Sequence, residues 1–431
     1  MLRVIFWAGL ALALVPWWLG TKTGSLDTNA EILTAAGRVT GLIGGYVLLV
    51  QVILMSRVSV LERLIGARHL GLWHRELGGF LLILILAHAG LMTFGYAQLD
   101  KLTFLNEIWL FWHQYKDMVT AFIGTGMLVL IGLLSVRFLR RALPYELWYF
   151  LHLTTYVALL LTYAHQFSNG AELYKPGLGR WSWIGFYAVT IAIVAWGRVI
   201  APIWLNARHR LRVADVIGEG SDMVSVYITG RRLNDLDAKA GQFFRWRFLT
   251  RGMWWQAHPF SLSAAPNGQW LRLTIKSVGS HTQQLRAVRP GVPIFVEGPW
   301  GDFTASRRVK AKTLLIGAGS GIAPIRALLE ELPQGAILLY RARSVQELAL
   351  REELERLAKL RHAKLWFVVG GRRDAGPRHL FTARGMKELV PDIAERDVYI
   401  CGPDGLVRSS LKLLCRLRVP RRQIHLDPFE I

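Results

Sequence analysis

Four histidines lie where an ionisable ring is costly to place. The stretch Leu72–Ala89 (LWHRELGGFLLILILAHA) is apolar but for Arg75 and Glu76 beside His74, and it carries His88 near its other end. A second stretch, Tyr149–Gln166 (YFLHLTTYVALLLTYAHQ), repeats the design with His152 and His165. Polar rings inside apolar spans mark functional sites, and neutral imidazole is a common metal ligand. On an α-helix the 14 residues from His74 to His88 rise about 21 Å and come back to nearly the same face, about 40° short of four turns. The 13 residues from His152 to His165 rise about 19.5 Å but land roughly 140° away, so the second helix needs a bend, a π-turn or a tilt to aim both rings inward. With that bend, two facing helices sandwich two irons, one near each side of a bilayer. Iron held between two imidazoles is saturated and low-spin, suited to passing electrons rather than binding oxygen. The plainer reading is four unrelated histidines bonded to helix neighbours, and matched pairs on two spans argue against it.

The elements that must position these rings are membrane helices. Six stretches are long and apolar enough, roughly Leu2–Gly20, Ala35–Met55, Gly71–Tyr96, Met118–Val136, Glu146–Gln166 and Trp183–Leu205. The first follows a single Arg3 and reads as a helix rather than a cleaved leader, because no clear small-residue cleavage site follows it. Arginines gather after the second, fourth and sixth stretches (Arg57, Arg63, Arg68; Arg137, Arg140, Arg141; Arg208, Arg210). The opposite loops hold Lys22, then Lys101 and Lys116, then Lys175 and Arg180. This bias places both termini in the cytoplasm of a multi-pass plasma-membrane protein. His74 and His152 then lie near the cytoplasmic face, and His88 and His165 near the outer face. The same bias and anionic lipid account for the net charge of +22, with no basic motif interleaved with stacking aromatics for nucleic acid.

Other polar residues carry less. Arg38, early in the second span, needs an anion, which a haem propionate or a lipid headgroup could supply. Arg75 could serve an inner propionate or mark the boundary. His69 reads as solvated, and His113 as interfacial or lining a substrate entrance. Only Cys401 and Cys415 occur, so there is no CxxCH, no iron–sulfur ligand set and no disulfide framework.

From about Leu211 short alternating segments with glycine turns read as a small β-barrel. Within it, His258-Pro259-Phe260-Ser261 continues into LSAAP, a strand followed by hydroxyl residues that can offer donors to a flavin. Lys276, Gly279 and Thr282, at a predicted helix start, suit a pyrophosphate. After a polar linker, Ala305–Lys312, strands (Thr313–Ile316, Ala336–Tyr340, Lys364–Val369, Val398–Cys401) alternate with helices (Pro324–Leu332, Val345–Leu360, Leu406–Leu417) in a doubly wound α/β pattern. Gly317, Gly319 and Gly321 sit between its first strand and helix, where backbone meets a diphosphate. Arg341 and Arg343 end the second strand, with Arg372 and Arg373 after the third; arginines there favour the 2′-phosphate of NADPH over NADH. Cys401-Gly402-Pro403 lies where a nicotinamide should sit, and Phe429 could stack on a flavin.

At this point the chain resembles the NADPH oxidase and ferric reductase superfamily across nearly its whole length. Six spans, paired histidines on the third and fifth, HPFS, GxGxG and CGP occur in that family in this order, and its histidine pairs carry the same spacing. The resemblance implies a membrane α-helical bundle (1–207) joined to a cytosolic ferredoxin-reductase-like module, with an FAD-binding β-barrel (208–305) and an NAD(P)H-binding α/β domain (306–431). It implies an inner haem b on His74 and His152, an outer haem b on His88 and His165, Arg38 near the outer one, and FAD at His258–Ser261, Lys276, Gly279 and Thr282. Arg38, Cys401 and Phe429 are the expected catalytic positions. The expected activity is electron transfer from NADPH through FAD and two haems to an outer acceptor, oxygen giving superoxide, with ferric chelate or a periplasmic or membrane partner as alternatives. The lipid bilayer is the expected surrounding; no obligate protein partner is evident, and the chain looks like a bacterial, constitutively competent version.

Overall fold

The computed structural model describes residues 2–21, 26–219, 222–277, 280–371 and 374–428. The chain packs as two units, Met1–Val58 with Arg68–Arg198, and Ser59–Ala67 with Val199–Ile431.

The first unit is helical, the arrangement that satisfies every backbone group of an apolar segment internally. Its helices are α1 (Leu2–Gly20) and α2 (Asn29–Leu54), then, after the short α3 (Ser59–Ile65) of the other unit, α4 (Ala67–Leu99), α5 (Phe104–Gln114), α6 (Met118–Leu134), α7 (Arg137–Ala142), α8 (Tyr145–Leu153), α9 (Thr155–Ser168) and α10 (Leu178–Ala195). Among the described residues five helical runs are long and apolar enough to cross a membrane, six if α5 and α6, bent by 118°, count as one. The second span starts six residues before the expected Ala35, because Thr28 and Glu31 close a capping box on its N-terminus. α5 was not expected. It is only 11 residues long, capped by Thr103, and Asp117 at φ 61° makes the corner into α6. Leu42, Tyr46, Leu49, Trp183 and Tyr187 form one buried cluster, and Val47, Leu81, Leu84, Leu128 and Ala158 another. α6 runs close along α9 because Gly124 has no Cβ, which would otherwise lie 2.7 Å from Thr162 Cγ2.

After α3, the second unit resumes with α11 (Ala201–His209), reached through a π-helical turn at Trp196–Ile200. The barrel strands are β1 (Arg212–Glu219), β2 (Met223–Thr229), β3 (Phe243–Phe248), β4 (His258–Ser261), β5 (Leu271–Lys276) and β6 (Ile294–Trp300), with α12 (Ser280–Gln284) between the last two. They form two antiparallel sheets, β1-β2-β5 and β4-β3-β6, joined by bridges Arg212–Pro293 and Leu262–Leu273. Alternation along β3 buries Phe244, Trp246 and Phe248, the period of two that a half-buried strand requires. α3 docks here: Glu62 Oε1 accepts from the Gly301 N–H at 2.9 Å. Burial and then the nearby Asp302 charge, against that hydrogen bond, push the Glu62 carboxyl up to about 8.

The nucleotide domain is a parallel sheet of β7 (Lys312–Ala318), β8 (Ile337–Ala342), β9 (Lys364–Val369), β10 (Arg396–Gly402) and β11 (Ile424–Pro428), ordered β11-β10-β7-β8-β9. Its helices are α13 (Ile322–Glu331), α14 (Arg351–Leu360), α15 (Ala375–Leu380), α16 (Ala383–Leu389) and α17 (Asp404–Arg416). The helix expected from Val345 starts at Arg351, after a 3₁₀ turn and Leu350 at φ 58°. The linker is pinned rather than loose: Asp397, fully buried, accepts from the Val309 and Lys310 amides and meets His425 Nε2 at 2.8 Å. An ion network joins barrel to nucleotide domain. Arg272 and Arg326 both bind Glu353, at 2.8 and 2.5 Å, and both donate to the Ser263 carbonyl.

Candidate functional site

The first site is the histidines. α4 is unbroken, so His74 and His88 share a face as their spacing requires. The opposing helix is broken between α8 and α9, at Thr154 (φ −65°, ψ −8°). The Thr154 hydroxyl donates to the Leu151 carbonyl and the Thr155 hydroxyl to the His152 carbonyl, each at 2.7 Å. Back-bonding of this kind bends helices, and the break supplies the correction that the 13-residue spacing demanded. The ring centres of His74 and His152 are 5.9 Å apart, and those of His88 and His165 are 6.4 Å apart. Metal–imidazole bonds of about 2 Å, plus about 1 Å from nitrogen to ring centre, put two rings flanking one ion about 6 Å apart. Both pairs fit that spacing.

The neighbours select the tautomer. His88 Nδ1 lies 2.7 Å from the Gly37 carbonyl, and His74 Nδ1 3.3 Å from the Gln51 carbonyl. A carbonyl only accepts, so Nδ1 carries the proton and Nε2 keeps its lone pair for a metal. His152 Nδ1 is 3.4 Å from Ser135 Oγ, and its ring stacks on Trp148. His165 Nδ1 is buried without a well-aligned hydrogen bond among the described residues. Gly41 makes room for the His88–His165 pair, since a Cβ there would sit 2.6 Å from His88 Nδ1. Among the described residues no group of three or more His, Cys, Asp or Glu gathers around one point, so each pair offers two ligands.

Arg38 follows Gly37 on α2, and its Nη1 lies 3.7 Å from Oε1 of the nearly buried Glu172. The sequence reading did not single out Glu172, although it is the only acidic residue between Glu146 and Asp215. His113 stacks on Trp109 at 3.8 Å, and His69 is exposed.

The second site lies where β4, β7, β10 and β11 end. The turn Gly319–Gly321 leads into α13, whose N-terminal amides face anions well. Gly319 takes φ 55° and opens onto free space, whereas a Cβ at Gly321 would sit 2.2 Å from the Cys401 carbonyl. Gly317 packs against Ile322 and Ile325, and Gly402 at φ 154° leads through Pro403 into α17. Three motifs meet at Asp427. Its Oδ2 accepts from Ser261 Oγ at 3.3 Å, and its carbonyl accepts from Cys401 Sγ at 3.2 Å. Burial, then the charge of Asp302, push the Asp427 carboxyl up to about 7, while the Ser261 hydroxyl pulls the other way. Burial and Asp427 push the Cys401 thiol well up, so it is a thiol here and not a nucleophile. Asp427 was missed because an acid before proline reads as a turn.

The remaining positions vary. His258 and Phe260 share one face of β4, their rings 6.2 Å apart, Pro259 is exposed on the other, and Trp246 Nε1 donates to the Phe260 carbonyl. Lys276 pairs with Asp222 at 2.9 Å, and Thr282 lies on α12. Arg341 donates to the Ala342 and Val368 carbonyls, while Arg343 is exposed. Gly279, Arg372, Arg373 and Phe429 lie outside the described residues.

Three domain families match in chain order. A ferric reductase like transmembrane component covers residues 40–163, an FAD-binding domain covers 208–303, and an oxidoreductase NAD-binding domain covers 315–412. The chain has the domain architecture of the NADPH oxidase and ferric reductase family. In that architecture FAD- and NAD-binding domains follow a ferric-reductase-like helical domain, the mark of a multi-pass membrane protein. It is 26% identical over 241 residues to the NADPH oxidoreductase of Mycobacterium tuberculosis, covering 53% of this chain and 62% of that one. It is 30% identical over 191 residues to ferredoxin–NADP reductase B of Sorangium cellulosum (40% and 77%), and 29% over 208 residues to a flavohaemoprotein of Vibrio cholerae (45% and 52%). The chain therefore spans 62% of the first relative's length and 52% of the last. Among solved structures, the FAD/NAD-binding domain of nitric oxide dioxygenase from Vibrio cholerae is similar at 25% identity, over 51% of this chain and 98% of that one, with a TM-score of 0.43.

Proposed function

We propose that this chain carries electrons from cytoplasmic NADPH through FAD and two haem b groups to an acceptor on the outer face, oxygen giving superoxide first among them. The observation that supports it most is the two histidine pairs at 5.9 and 6.4 Å, on helices whose spacing separates them by about 21 Å along the axis. Two protein ligands hold a bare ion poorly, whereas a haem would bring the rest of its metal's ligands itself. Bound there, FAD would turn a hydride into single electrons and the haems would relay them across the span.

The chain's own residues do the rest. The Gly37 and Gln51 carbonyls hold the proton on Nδ1 of His88 and His74, which leaves Nε2 to ligate. His74 with His152 and His88 with His165 would hold the two haems, two to each, and an acceptor would then take its electron without bonding to the metal. Arg38, on the helix that also orients His88, sets positive charge at the outer end, tempered by Glu172. The Gly319 turn and the α13 amides would bind the dinucleotide diphosphate, and Arg343 the 2′-phosphate, with NADH the alternative donor. Asp427 Oδ2 can carry a proton near neutral pH and is linked to Ser261 Oγ of the flavin strand. Lys276 and Thr282 would face the flavin pyrophosphate. The arginine bias of the loops supports cytoplasmic termini.

A reduced-minus-oxidised spectrum tests this. Wild type should show b-type bands and His88→Ala should lose about half of them; no b-type bands in wild type would end the proposal. Purified protein with NADPH should give reduction sensitive to superoxide dismutase. A second reading, ferric-chelate reduction, is favoured by the match to a ferric reductase like component. Rapid ferric-chelate reduction without oxygen consumption would select it.

A further inference from the structure

We propose that Ser135 is a positioning residue for His152, fixing which ring nitrogen of that histidine is left for a metal, and that Trp148 sets how strongly the serine acts. The proposal rests on the haem reading of the histidine pairs. Nδ1 of His74 and Nδ1 of His88 each meet a backbone carbonyl, which can only accept, so those two tautomers are settled. His152 Nδ1 instead meets a hydroxyl, Ser135 Oγ at 3.4 Å, and a hydroxyl can donate or accept. Taken alone, that contact also permits the other tautomer, with the proton on Nε2 and no lone pair for a metal.

Two neighbours remove the choice. Ser135 caps the C-terminus of α6, and its hydroxyl donates its one proton to the Ile131 carbonyl at 2.7 Å. Trp148 Nε1, which can only donate, meets the same hydroxyl oxygen at 3.3 Å. With its proton committed and an indole N–H on one lone pair, Ser135 Oγ offers His152 the other lone pair and nothing else. His152 Nδ1 therefore carries the proton, and Nε2 is free to ligate. Trp148 is itself held in place. It stands four residues before His152 on α8, so the two rings are neighbours on one helix face, with centres 5.1 Å and planes 25° apart. The Arg140 guanidinium of α7 lies 4.6 Å from its ring centre.

The same hydrogen bonds grade the ligand. An acceptor on Nδ1–H makes an imidazole more basic, and a more basic ligand favours the oxidised metal. Removing the serine hydroxyl takes that acceptor away. Removing the indole N–H does the reverse, because it leaves Ser135 Oγ a better acceptor for His152.

The test is a redox titration of the purified full chain with its haems, followed at the b-type bands. In Ser135→Ala one of the two b-type components should titrate at a more positive potential and bind its haem about tenfold more weakly, with the other component and the flavin content unchanged. Ser135→Thr keeps the hydroxyl and should titrate as wild type does. Trp148→Phe keeps a ring beside His152 but no N–H, and should move the same component to a more negative potential. If Ser135→Ala retains no haem at that site, the phenylalanine and threonine variants still give the sign. A role in packing alone would shift the alanine and phenylalanine variants the same way, and that result overturns the proposal. So does a Trp148→Phe variant, or a haem-loaded Ser135→Ala variant, that titrates as wild type. A wild type without b-type bands would instead remove the haem reading, and this proposal with it.

Discussion

Gly41 shows how far the His88–His165 pair depends on an absent side chain. A Cβ there would press to 2.6 Å from His88 Nδ1 and 2.7 Å from its Cε1, so any substitution must move the ring or the helix. Gly41→Val is expected to remove one of the two b-type signals while flavin content stays unchanged, measured as haem and flavin per chain. Beside Ser261 and Cys401, Asp427 carries the equivalent weight. Its carboxyl is pushed up to about 7, so the wild type gains a buried negative charge as pH rises through that value. Asp427→Asn should flatten the inflection near pH 7 in the rate of flavin reduction by NADPH, read by stopped flow, and lower that rate about tenfold where general acid–base help is lost. The histidines were legible in the sequence because ionisable rings stand out in apolar runs. Asp427 was not, since only the fold of β11 brings it to Ser261 and Cys401. Glu172 was equally hidden: its meeting with Arg38 links α2 to the segment after α9, far apart in sequence.

At the scale of elements, spacing alone asked the second histidine helix for a bend, a π-turn or a tilt. The remedy at Thr154 and Thr155 was present in the sequence as an ordinary Thr-Thr pair, whose back-bonding becomes visible only in three dimensions. Two elements had no signal. α5 is too short for a span and too apolar for a loop, and β11 is five residues beyond a basic stretch. The glycine turn, by contrast, was readable because strand, glycines and helix follow each other directly. It also fixes how closely α13 approaches β10. Gly321→Ala sets a Cβ 2.2 Å from the Cys401 carbonyl, a backbone atom that cannot swing away. NADPH affinity should fall at least about tenfold, near 1.4 kcal/mol, while the b-type spectrum is unchanged, measured by titration of flavin reduction.

For the whole molecule, two sets of charges tie separate pieces of chain together. Burial alone would raise the Glu353 carboxyl, but the Arg272 hydrogen bond and the Arg272 and Arg326 charges hold it below the usual range. Removing one member strands buried charge, so Glu353→Gln should destabilise the barrel–nucleotide module by about 3 kcal/mol, seen as a lower thermal midpoint for flavin release. Glu62 works in the opposite sense. Its folded carboxyl holds a proton up to about 8, whereas the ordinary value is 4.5. Docking of α3 is therefore strongest below about 4.5 and weakens as pH rises towards 8. Glu62→Gln keeps an acceptor for the Gly301 amide without the charge, and should raise the thermal midpoint at alkaline pH but not at acid pH. A further consequence follows from the contrast between unbroken α4 and the jointed α8 and α9. One extra residue between His74 and His88 would turn His88 by about 100° and shift it about 1.5 Å, with nothing to absorb the change. One extra residue at Thr154 enters a turn that is already irregular. The first insertion should abolish the His88–His165 pair and the second should leave it measurable, so tolerance to added length is confined to one of the two facing helices.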